Sequence, residues 1–443
     1  MKRYESWGRY PKAKHAAIMP IFWRCELPRF DICERSVLPF GQGRSYGDSC
    51  LNDGGVLIDT SPLRRFMAFD EERGILRCEA GVTLADILEL VVPRGWFPSV
   101  TPGTRYVSVG GAIANDVHGK NHHRAGTFGC HVRQFELLTS TGERLLCSPT
   151  QNSELFQATI GGLGLTGLIL WAEVQLKPIS SPLIRMEHIR FVALEEFLEL
   201  SALSDKDYEY TVAWVDCLAR GEKVGRGIFI RGNHAEPERQ MSARAKKPRT
   251  ARLPFDAPAF FLNRLTVKAF NTAYYYAQIQ KRVQKVVHYE TFFYPLDAVQ
   301  GWNRLYGKRG FLQYQCVVPH DDGDGAMRDV LARIARSGLA AFLAVLKTIG
   351  AVPSPGMLSF PRPGVTLAVD FPYQGARTLQ LLEELDEIVL ARGGAVYPAK
   401  DARMSAKCFQ TFFPRWREFI RFIDPQFSSS FWRRVAIPLN GDK

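Results

Sequence analysis

The chain has 443 residues, 46% of them hydrophobic, and this length predicts two domains with ordinary apolar cores. No apolar run resembles a signal peptide or is long enough to cross a bilayer, so we expect a soluble or peripheral protein. A net charge of +12 attracts nucleic acid, anionic lipid or phosphorylated ligands alike, and nine cysteines without a CxxC pair argue against a disulfide framework and for a reducing compartment.

The first glycine-rich motif is PFGQGRSYGDS, residues 39–49. Its glycines follow the spacing G-x-G-x-x-x-G, whereas the dinucleotide fingerprint requires G-x-G-x-x-G. No amphipathic helix follows the motif, because NDGG at 52–55 predicts a turn before the next strand. A Rossmann site is therefore not expected, and a pyrophosphate would have to be held by successive N–H groups of the loop itself.

The next segment, TLADILELVVPRG, predicts one amphipathic helix. Thr83 and Asp86 have the spacing of a capping box at its start. Pro93 and Gly95 mark its end.

The second glycine-rich motif is PGTRYVSVGGAIANDVHGKN, residues 102–121. Gly110 and Gly111 lack the Cβ atoms that would hold a bulky planar or phosphorylated ligand away from the backbone. The two motifs lie roughly sixty residues apart, each beside a predicted strand. They could therefore line opposite sides of one long ligand.

Four histidines lie within and just after the second motif, at positions 118, 122, 123 and 131. Neither HExxH nor a paired CxxC accompanies them, so we expect no metal site. The alternative for the last three is structural, with imidazoles hydrogen-bonded to the loop backbone.

After LKPISSP, residues 176–182, glycines become rarer and strands alternate with helices, which predicts a second, α+β domain. The basic segment at 239–252 contains no acidic residue and predicts a solvated mobile loop. The aromatic segment at 255–278 is interrupted by Pro258 and by charges, so it cannot span a bilayer. We expect it to pack in the core, with membrane contact as the alternative.

Several strings together resemble the vanillyl-alcohol-oxidase-like FAD flavoproteins, and among them the oxidases of polyprenylphosphoryl ribose. In chain order they are GQGRSYGD, PGTRYVSVGGAIANDVHGKNHHRAGTFGCHV, ATIGGLGLTGLI, GFLQYQCVVP, LSFPRPG, VDFP and YPAKDAR. The resemblance covers nearly the whole chain apart from about 232–285. It implies a two-domain α+β flavoprotein with a PCMH-type FAD-binding domain at 1–180, to which 395–443 return. It also implies an inserted α+β substrate domain at 181–394 with a mobile basic loop near 232–252.

The resemblance also implies which residues hold FAD. They are Gly41, Gln42, Gly43, Arg44, Ser45, Tyr46, Gly103, Val109, Gly110, Gly111, Asn115, His118, Ile169 and Tyr397. Many wider relatives attach FAD covalently through a histidine in the first loop. This chain has Tyr46 there, which implies non-covalent FAD.

Catalytic roles are implied for Lys400, Lys120, His118 and Tyr46, where the lysines suit proton transfer and the stabilisation of negative charge. Substrate contacts are implied for Gln315, Lys347, Phe293 and Ala368.

Two positions depart from the drug-targeted relatives. Ala368 replaces the cysteine that nitroaromatic inhibitors attack, and Phe293 replaces a pocket tyrosine. If residues 313–315 lie on a strand, Tyr314 should face away from its two glutamine neighbours.

The function that the resemblance implies is FAD-dependent oxidation of the 2′-hydroxyl of polyprenylphosphoryl-β-D-ribose to the 2′-keto form. This reaction is the first half of an epimerisation to an arabinose lipid donor for cell-envelope glycan synthesis, which an NAD(P)H-dependent short-chain reductase would complete. We expect a cytoplasmic enzyme, peripheral at the inner face of the cell membrane. The alternatives are an FAD-dependent sugar-alcohol or aldonolactone oxidase acting on a soluble polyol, and a non-catalytic nucleic-acid-binding protein that only the net charge favours.

Overall fold

The computed structural model describes residues 4–26, 30, 34–236, 247–258, 262–320, 323–339 and 342–436. Its strands are β1 Ala17–Pro20, β2 Val37–Phe40, β3 Val56–Asp59, β4 Phe66–Asp70, β5 Ile75–Glu79, β6 Trp96–Pro98, β7 Val132–Leu138, β8 Arg144–Cys147, β9 Leu168–Pro178, β10 Leu183–Phe191, β11 Tyr210–Val215, β12 Gly227–His234, β13 Ala251–Arg252, β14 Arg282–His288, β15 Val299–Gln300, β16 Phe311–Val318, β17 Ala344–Ile349, β18 Gly364–Pro372 and β19 Ala395–Val396. Its α-helices are α1 Leu84–Val91, α2 Val109–Ala114, α3 His122–Ala125, α4 Ser153–Thr159, α5 Leu194–Ser204, α6 Arg264–Ala277, α7 Tyr289–Phe293, α8 Gly323–Ser337, α9 Ala376–Ala391, α10 Ala406–Phe412, α11 Trp416–Phe419 and α12 Ser430–Val435.

The N-terminal part of the chain forms two sheets. A parallel three-stranded sheet has the order β1-β3-β2, and a six-stranded sheet has the order β4-β5-β9-β7-β8 with β6 also paired to β9. Helix α1 begins as the sequence predicts, because Thr83 and Asp86 exchange both hydrogen bonds of a capping box. It ends at Val91, and Gly95 follows in the left-handed conformation.

The C-terminal segment returns to these N-terminal sheets. Val37 of β2 donates its backbone N–H to Gln426 O at 2.9 Å and pairs with Phe427. The Arg434 guanidinium binds the Asp48 carboxylate at 2.7 Å. Residues near both ends of the chain therefore complete one structural unit.

The middle of the chain forms an eight-stranded sheet with the order β14-β10-β12-β11-β17-β18-β16-β19. Helices α5, α8 and α9 pack on one face, where they share a core with alternate residues of the strands. Because β19 still pairs with β16, this sheet extends two residues beyond the predicted boundary at 394. We therefore place the proposed return to the N-terminal domain after Val396.

Strand β16 presents its side chains alternately to the two faces of the sheet. The Tyr314 hydroxyl donates to Asp386 of α9 at 3.1 Å, on the helix-covered face. Gln313 and Gln315 lie on the opposite face and line a cavity. The predicted orientation of Tyr314 is thus confirmed.

The structure bears on two predictions, a mobile basic loop near 232–252 and core packing of the aromatic segment at 255–278. Residues 237–246 of the basic loop lie outside the described residues, whereas 232–234 belong to β12 and 251–252 form β13, which pairs with β15. Residues 264–277 form α6, in which Tyr275 is buried but Phe270 is 48% exposed and Leu265 is 78% exposed. The prediction of core packing is wrong for these two, because α6 lies on the protein surface.

Candidate active site

A cavity of about 430 Å³ lies between the two glycine-rich loops and the open face of the eight-stranded sheet. All but one of the predicted site residues line it. They are Gly41, Gln42, Gly43, Arg44, Ser45, Tyr46, Gly103, Gly110, Gly111, Asn115, His118, Lys120, Ile169, Phe293, Gln315, Lys347, Ala368, Tyr397 and Lys400. The exception is Val109, whose side chain is buried in the apolar core and whose N–H donates to Val82 O at 2.8 Å.

The first loop contributes a buried cation to the cavity. Arg44 stacks its guanidinium 4.2 Å from the Trp7 ring centroid, and its Nε has no hydrogen-bond partner among the described residues. Burial lowers the pKa of Arg44, although Asp297 opposes the shift. A buried donor of this kind needs an acceptor, so this end of the cavity suits an anionic group.

The second loop approaches the cavity through α2. Ser108 caps this helix by accepting a hydrogen bond from Gly111 N at 3.3 Å. A Cβ on Gly110 would lie 3.0 Å from Ala80 Cβ, so this glycine also allows α2 to pack closely on the residue that follows β5. A Cβ on Gly103 would meet nothing within 4 Å among the described residues.

His118 is held in a neutral state at the centre of the site. The Gln315 amide donates to His118 Nε2 at 2.9 Å, so the ring proton belongs on Nδ1, which is buried without a described partner. Burial and then the charge of Lys347 hold the pKa of His118 well below its ordinary value. Tyr397 packs against His118, and its hydroxyl donates to Asn115 O at 2.6 Å.

Three buried lysines surround this histidine. Lys120 Nζ donates to Phe293 O at 3.0 Å, and Lys347 Nζ donates to Gly119 O at 3.2 Å. Burial lowers the pKa of Lys120 to about 7 and that of Lys347 to about 8. Burial likewise lowers the pKa of Lys400 to about 7, against the opposing charge of Asp370. The three ammonium groups make the cavity attractive to an anion.

Lys400 is positioned from two sides. Its Nζ lies 3.8 Å from the centroid of the Tyr46 ring, over the π face. The Tyr46 N–H donates to Ala399 O at 2.9 Å, which ties the first loop to the loop that carries Lys400. Asp401, the next residue, is buried and binds Arg434 at 2.9 Å.

Sequence reasoning missed two polar residues behind Lys400. The Gln313 amide donates to the fully buried Asp370 at 2.5 Å, and the Tyr306 hydroxyl donates to the same carboxylate at 3.4 Å. Burial raises the pKa of Asp370 to about 7, and hydrogen bonding and the charge of Lys400 oppose this shift. Strand alternation could have found both residues, since Gln313 lies two positions before Gln315 and Asp370 two positions after Ala368.

One row of side chains crosses the open face of the sheet. Strand register aligns Trp214 with Val345, Val345 with Ala368, and Ala368 with Gln315. The row therefore runs from an apolar edge to the polar centre of the cavity. Tyr274 of α6 packs on Trp214 with ring centroids 4.7 Å apart and also lines the cavity.

Two of the remaining histidines have the structural role that was the alternative to metal binding, because their rings hydrogen-bond the backbone. His123 Nε2 binds Tyr208 O at 3.1 Å, and His131 Nε2 binds Ala125 O at 2.8 Å. The buried imidazole of His122 has no hydrogen-bond partner among the described residues.

Comparison with known proteins identifies the class to which this site belongs. The family profile of an FAD binding domain matches residues 32–148. Over 423 residues the chain is 39% identical to the decaprenylphosphoryl-β-D-ribose oxidase of Mycolicibacterium smegmatis, which covers 91% of this chain and 90% of that protein. The chain belongs to the decaprenylphosphoryl-β-D-ribose oxidase family.

Two other relatives are less similar to this chain. The chain is 35% identical to an uncharacterised protein of Streptomyces coelicolor over 374 residues, 80% of this chain and all of that protein. It is 31% identical to cytokinin dehydrogenase 7 of Oryza sativa subsp. japonica over 166 residues, 34% of this chain and 30% of that enzyme. The predicted two-domain α+β flavoprotein fold and the FAD cofactor are confirmed. No helix in the described part of the chain is both long and apolar enough to cross a membrane.

The residues of the cavity fit FAD. The unpartnered Arg44 Nε suits a phosphate oxygen, and the buried His118 Nδ1 offers a second free donor. Gly43 adopts the left-handed backbone conformation, which is typical of loops whose successive N–H groups bind an anion. The individual FAD contacts remain predictions.

Proposed function

We propose that this protein uses FAD to oxidise the 2′-hydroxyl of a polyprenylphosphoryl-β-D-ribose to the ketone. The observation that carries the proposal is the composition of a single cavity. Loops of the FAD-binding domain, three buried lysines and an apolar wall all line it. A ligand that is at once a sugar, a phosphodiester and a lipid matches these three surfaces.

Each part of the chain has a role in this proposal. FAD, when bound, takes up the two electrons and the hydrogen that leave C2′ of the ribose. Lys120 has a pKa of about 7, so its neutral amine can accept the hydroxyl proton at physiological pH. Lys400 places a positive charge beside Tyr46, where it stabilises the negative charge that develops during oxidation.

The remaining polar groups orient the sugar. Gln315 donates to His118 Nε2, so that the proton of this neutral ring is on Nδ1, where it can act as a hydrogen-bond donor. Lys347 supplies a cation for the phosphodiester of the substrate. Phe293 and Ala368 complete the pocket wall.

The alternative substrate is a soluble polyol, as in a sugar-alcohol or aldonolactone oxidase. Such a substrate has no charge to pair with three buried lysines and no lipid to cover Trp214 and Tyr274. The lipid-linked substrate is therefore favoured. The keto product requires a second enzyme that returns a hydride, and we propose an NAD(P)H-dependent short-chain reductase as that partner. We also propose that the protein works in the cytoplasm, peripheral at the inner face of the membrane that holds the substrate.

The test is anaerobic bleaching of the bound FAD. Farnesylphosphoryl-β-D-ribose should bleach the flavin absorbance stoichiometrically, whereas xylitol at the same concentration should not. Gln315→Ala should slow the reaction with the ribose substrate without loss of FAD. Bleaching by xylitol but not by the ribose lipid would replace the proposal with the polyol oxidase.

A further inference from the structure

Large exposed hydrophobic side chains are concentrated in one short segment of the chain. Of the twelve such residues among those described, six lie between positions 255 and 279. They are Phe255, Leu265, Phe270, Tyr274, Tyr276 and Ile279. Large apolar side chains that are concentrated and exposed in this way mark a site of interaction.

Helix α6 explains why this surface is exposed. Only Val267, Asn271 and Tyr275, each four positions apart, are buried against the body of the protein. The opposite side of the helix carries Leu265 and Tyr276, which are 78% and 53% exposed. The helix therefore has an apolar face directed to solvent, the reverse of an ordinary surface helix.

The chain segment that contains α6 carries charges of one sign. Two of its cations are ion-paired with other elements, Lys281 with Glu196 at 2.7 Å and Arg282 with Glu187 at 3.4 Å. No acidic residue occurs from position 257 to 289, whereas Arg264, Lys268, Lys281, Arg282 and Lys285 all lie in this stretch. On the helix, Lys268 lies on the flank between the buried stripe and the apolar face, whereas Arg264 lies at the start of the helix on the side of the buried stripe. Apolar and aromatic side chains with flanking cations are the pattern of a segment that lies in the interface of an anionic bilayer.

The same helix also forms part of the cavity wall. Tyr274 packs edge-on against Trp214 inside the cavity and stacks on Phe270, with ring centroids 5.9 Å apart. Phe270 is 48% exposed and also contacts Phe342. An unbroken apolar path thus leads from the cavity to the exposed face of α6.

We propose that the apolar face of α6, together with Ile279, docks on an anionic membrane surface, so that a lipid chain passes between bilayer and cavity along Phe270, Tyr274 and Trp214. The docking rests on the exposed face and its charges alone. The passage of the lipid rests also on the function proposed above. An acidic protein partner would match the charges but would not need the apolar path into the cavity.

Vesicle sedimentation of the holoenzyme tests the docking. The double variant Leu265→Glu/Ile279→Glu changes two residues that lie outside the cavity lining. Leu203→Glu is the matched control, because Leu203 is 72% exposed in α5, on the other face of the sheet. Wild type and control should bind vesicles of phosphatidylcholine with phosphatidylglycerol, and more weakly those of phosphatidylcholine alone.

The partition coefficient of the double variant for the anionic vesicles should be at least about tenfold lower than that of wild type. Each apolar side chain that is buried in the bilayer contributes at least several-fold to partitioning. Wild-type binding equal to that of the double variant would overturn the docking, as would an equal loss in the control. So would wild-type protein that fails to sediment with the anionic vesicles.

Kinetics test the passage of the lipid. With decaprenylphosphoryl ribose embedded in the anionic vesicles, the double variant should be slowed in proportion to its lost binding. With farnesylphosphoryl ribose in solution it should match wild type. Equal slowing with both substrates would overturn the proposed path. If wild type oxidises neither substrate, the proposed function fails, whereas the sedimentation result still decides the docking.

Discussion

Replacement of Lys400 by methionine separates binding from chemistry at this site. Methionine keeps the length and apolar character of the stem and removes the ammonium group that lies 3.8 Å from the Tyr46 ring centroid. No carboxylate in the described part of the chain lies within ion-pair distance of Lys400. FAD should therefore remain bound, while its reduction by substrate should become slower.

The expected size of the effect follows from the burial of the charge. Two unit charges about 5 Å apart interact by about 3 kcal/mol at the effective dielectric constant of about 20 that fits protein sites. This energy corresponds to roughly a hundredfold in rate, and loss of one charge-stabilising donor commonly costs that much. Lysine is charged below its pKa, and the pKa of Lys400 is about 7. The ratio of the wild-type rate to the Lys400→Met rate should thus be largest below pH 7 and should decrease as the pH rises above 7.

The assay is anaerobic stopped-flow reduction of the flavin at saturating substrate. Lys177→Met is the control, because Lys177 is a largely buried lysine that binds the Tyr210 hydroxyl at 2.8 Å outside the cavity lining. In the Lys177→Met variant, the substrate should reduce FAD at the wild-type rate. A Lys400→Met rate within about threefold of wild type would show that Lys400 does not stabilise charge in this reaction.

Three further predictions concern the cofactor, an inhibitor class and stability. Because Tyr46 replaces the attaching histidine of many relatives, acid precipitation should release all FAD to the supernatant, and flavin in the protein pellet would contradict this. Nitroaromatic inhibitors that form thiol adducts in relatives should leave no adduct here by mass spectrometry, whereas Ala368→Cys should gain one, since that position lies between Val345 and Gln315 in the cavity. The apoprotein should gain stability as the pH rises from 7 to about 8.5, because the unfolded chain binds more protons than a fold in which the pKa of Lys120 is about 7. Thermal unfolding of Lys120→Met should show a flatter dependence, and an unchanged slope would refute the assignment.

Local sequence signals predicted the parts of the site that depend on nearby residues. The capping box of Thr83 and the alternation along residues 313–315 both act within a few positions, so the chemistry of the segment determines them. The glycine-rich loops were likewise predicted, although Gly110 also serves close packing on Ala80.

Long-range register was not predictable in this way. The row that aligns Trp214, Val345, Ala368 and Gln315 joins four strands from separate parts of the sequence, and no single segment encodes it. Strand alternation places Asp370 on the cavity face beside Ala368, but the approach of Lys400 from another loop is a long-range contact that no local signal predicts. The aromatic residues of α6 were assigned to the core because their hydrophobicity is identical in a core and in a membrane-facing surface.

The return of the C-terminal segment has a consequence for biosynthesis. Tyr46 in the first loop is hydrogen-bonded to Ala399, and Val37 to Gln426, so the flavin loop is completed by residues made more than three hundred positions later. A nascent chain that has not yet reached position 399 carries the whole of residues 32–148 but lacks these partners. The complete flavin loop therefore cannot form before these late residues have been made, and a chain truncated before position 399 lacks it.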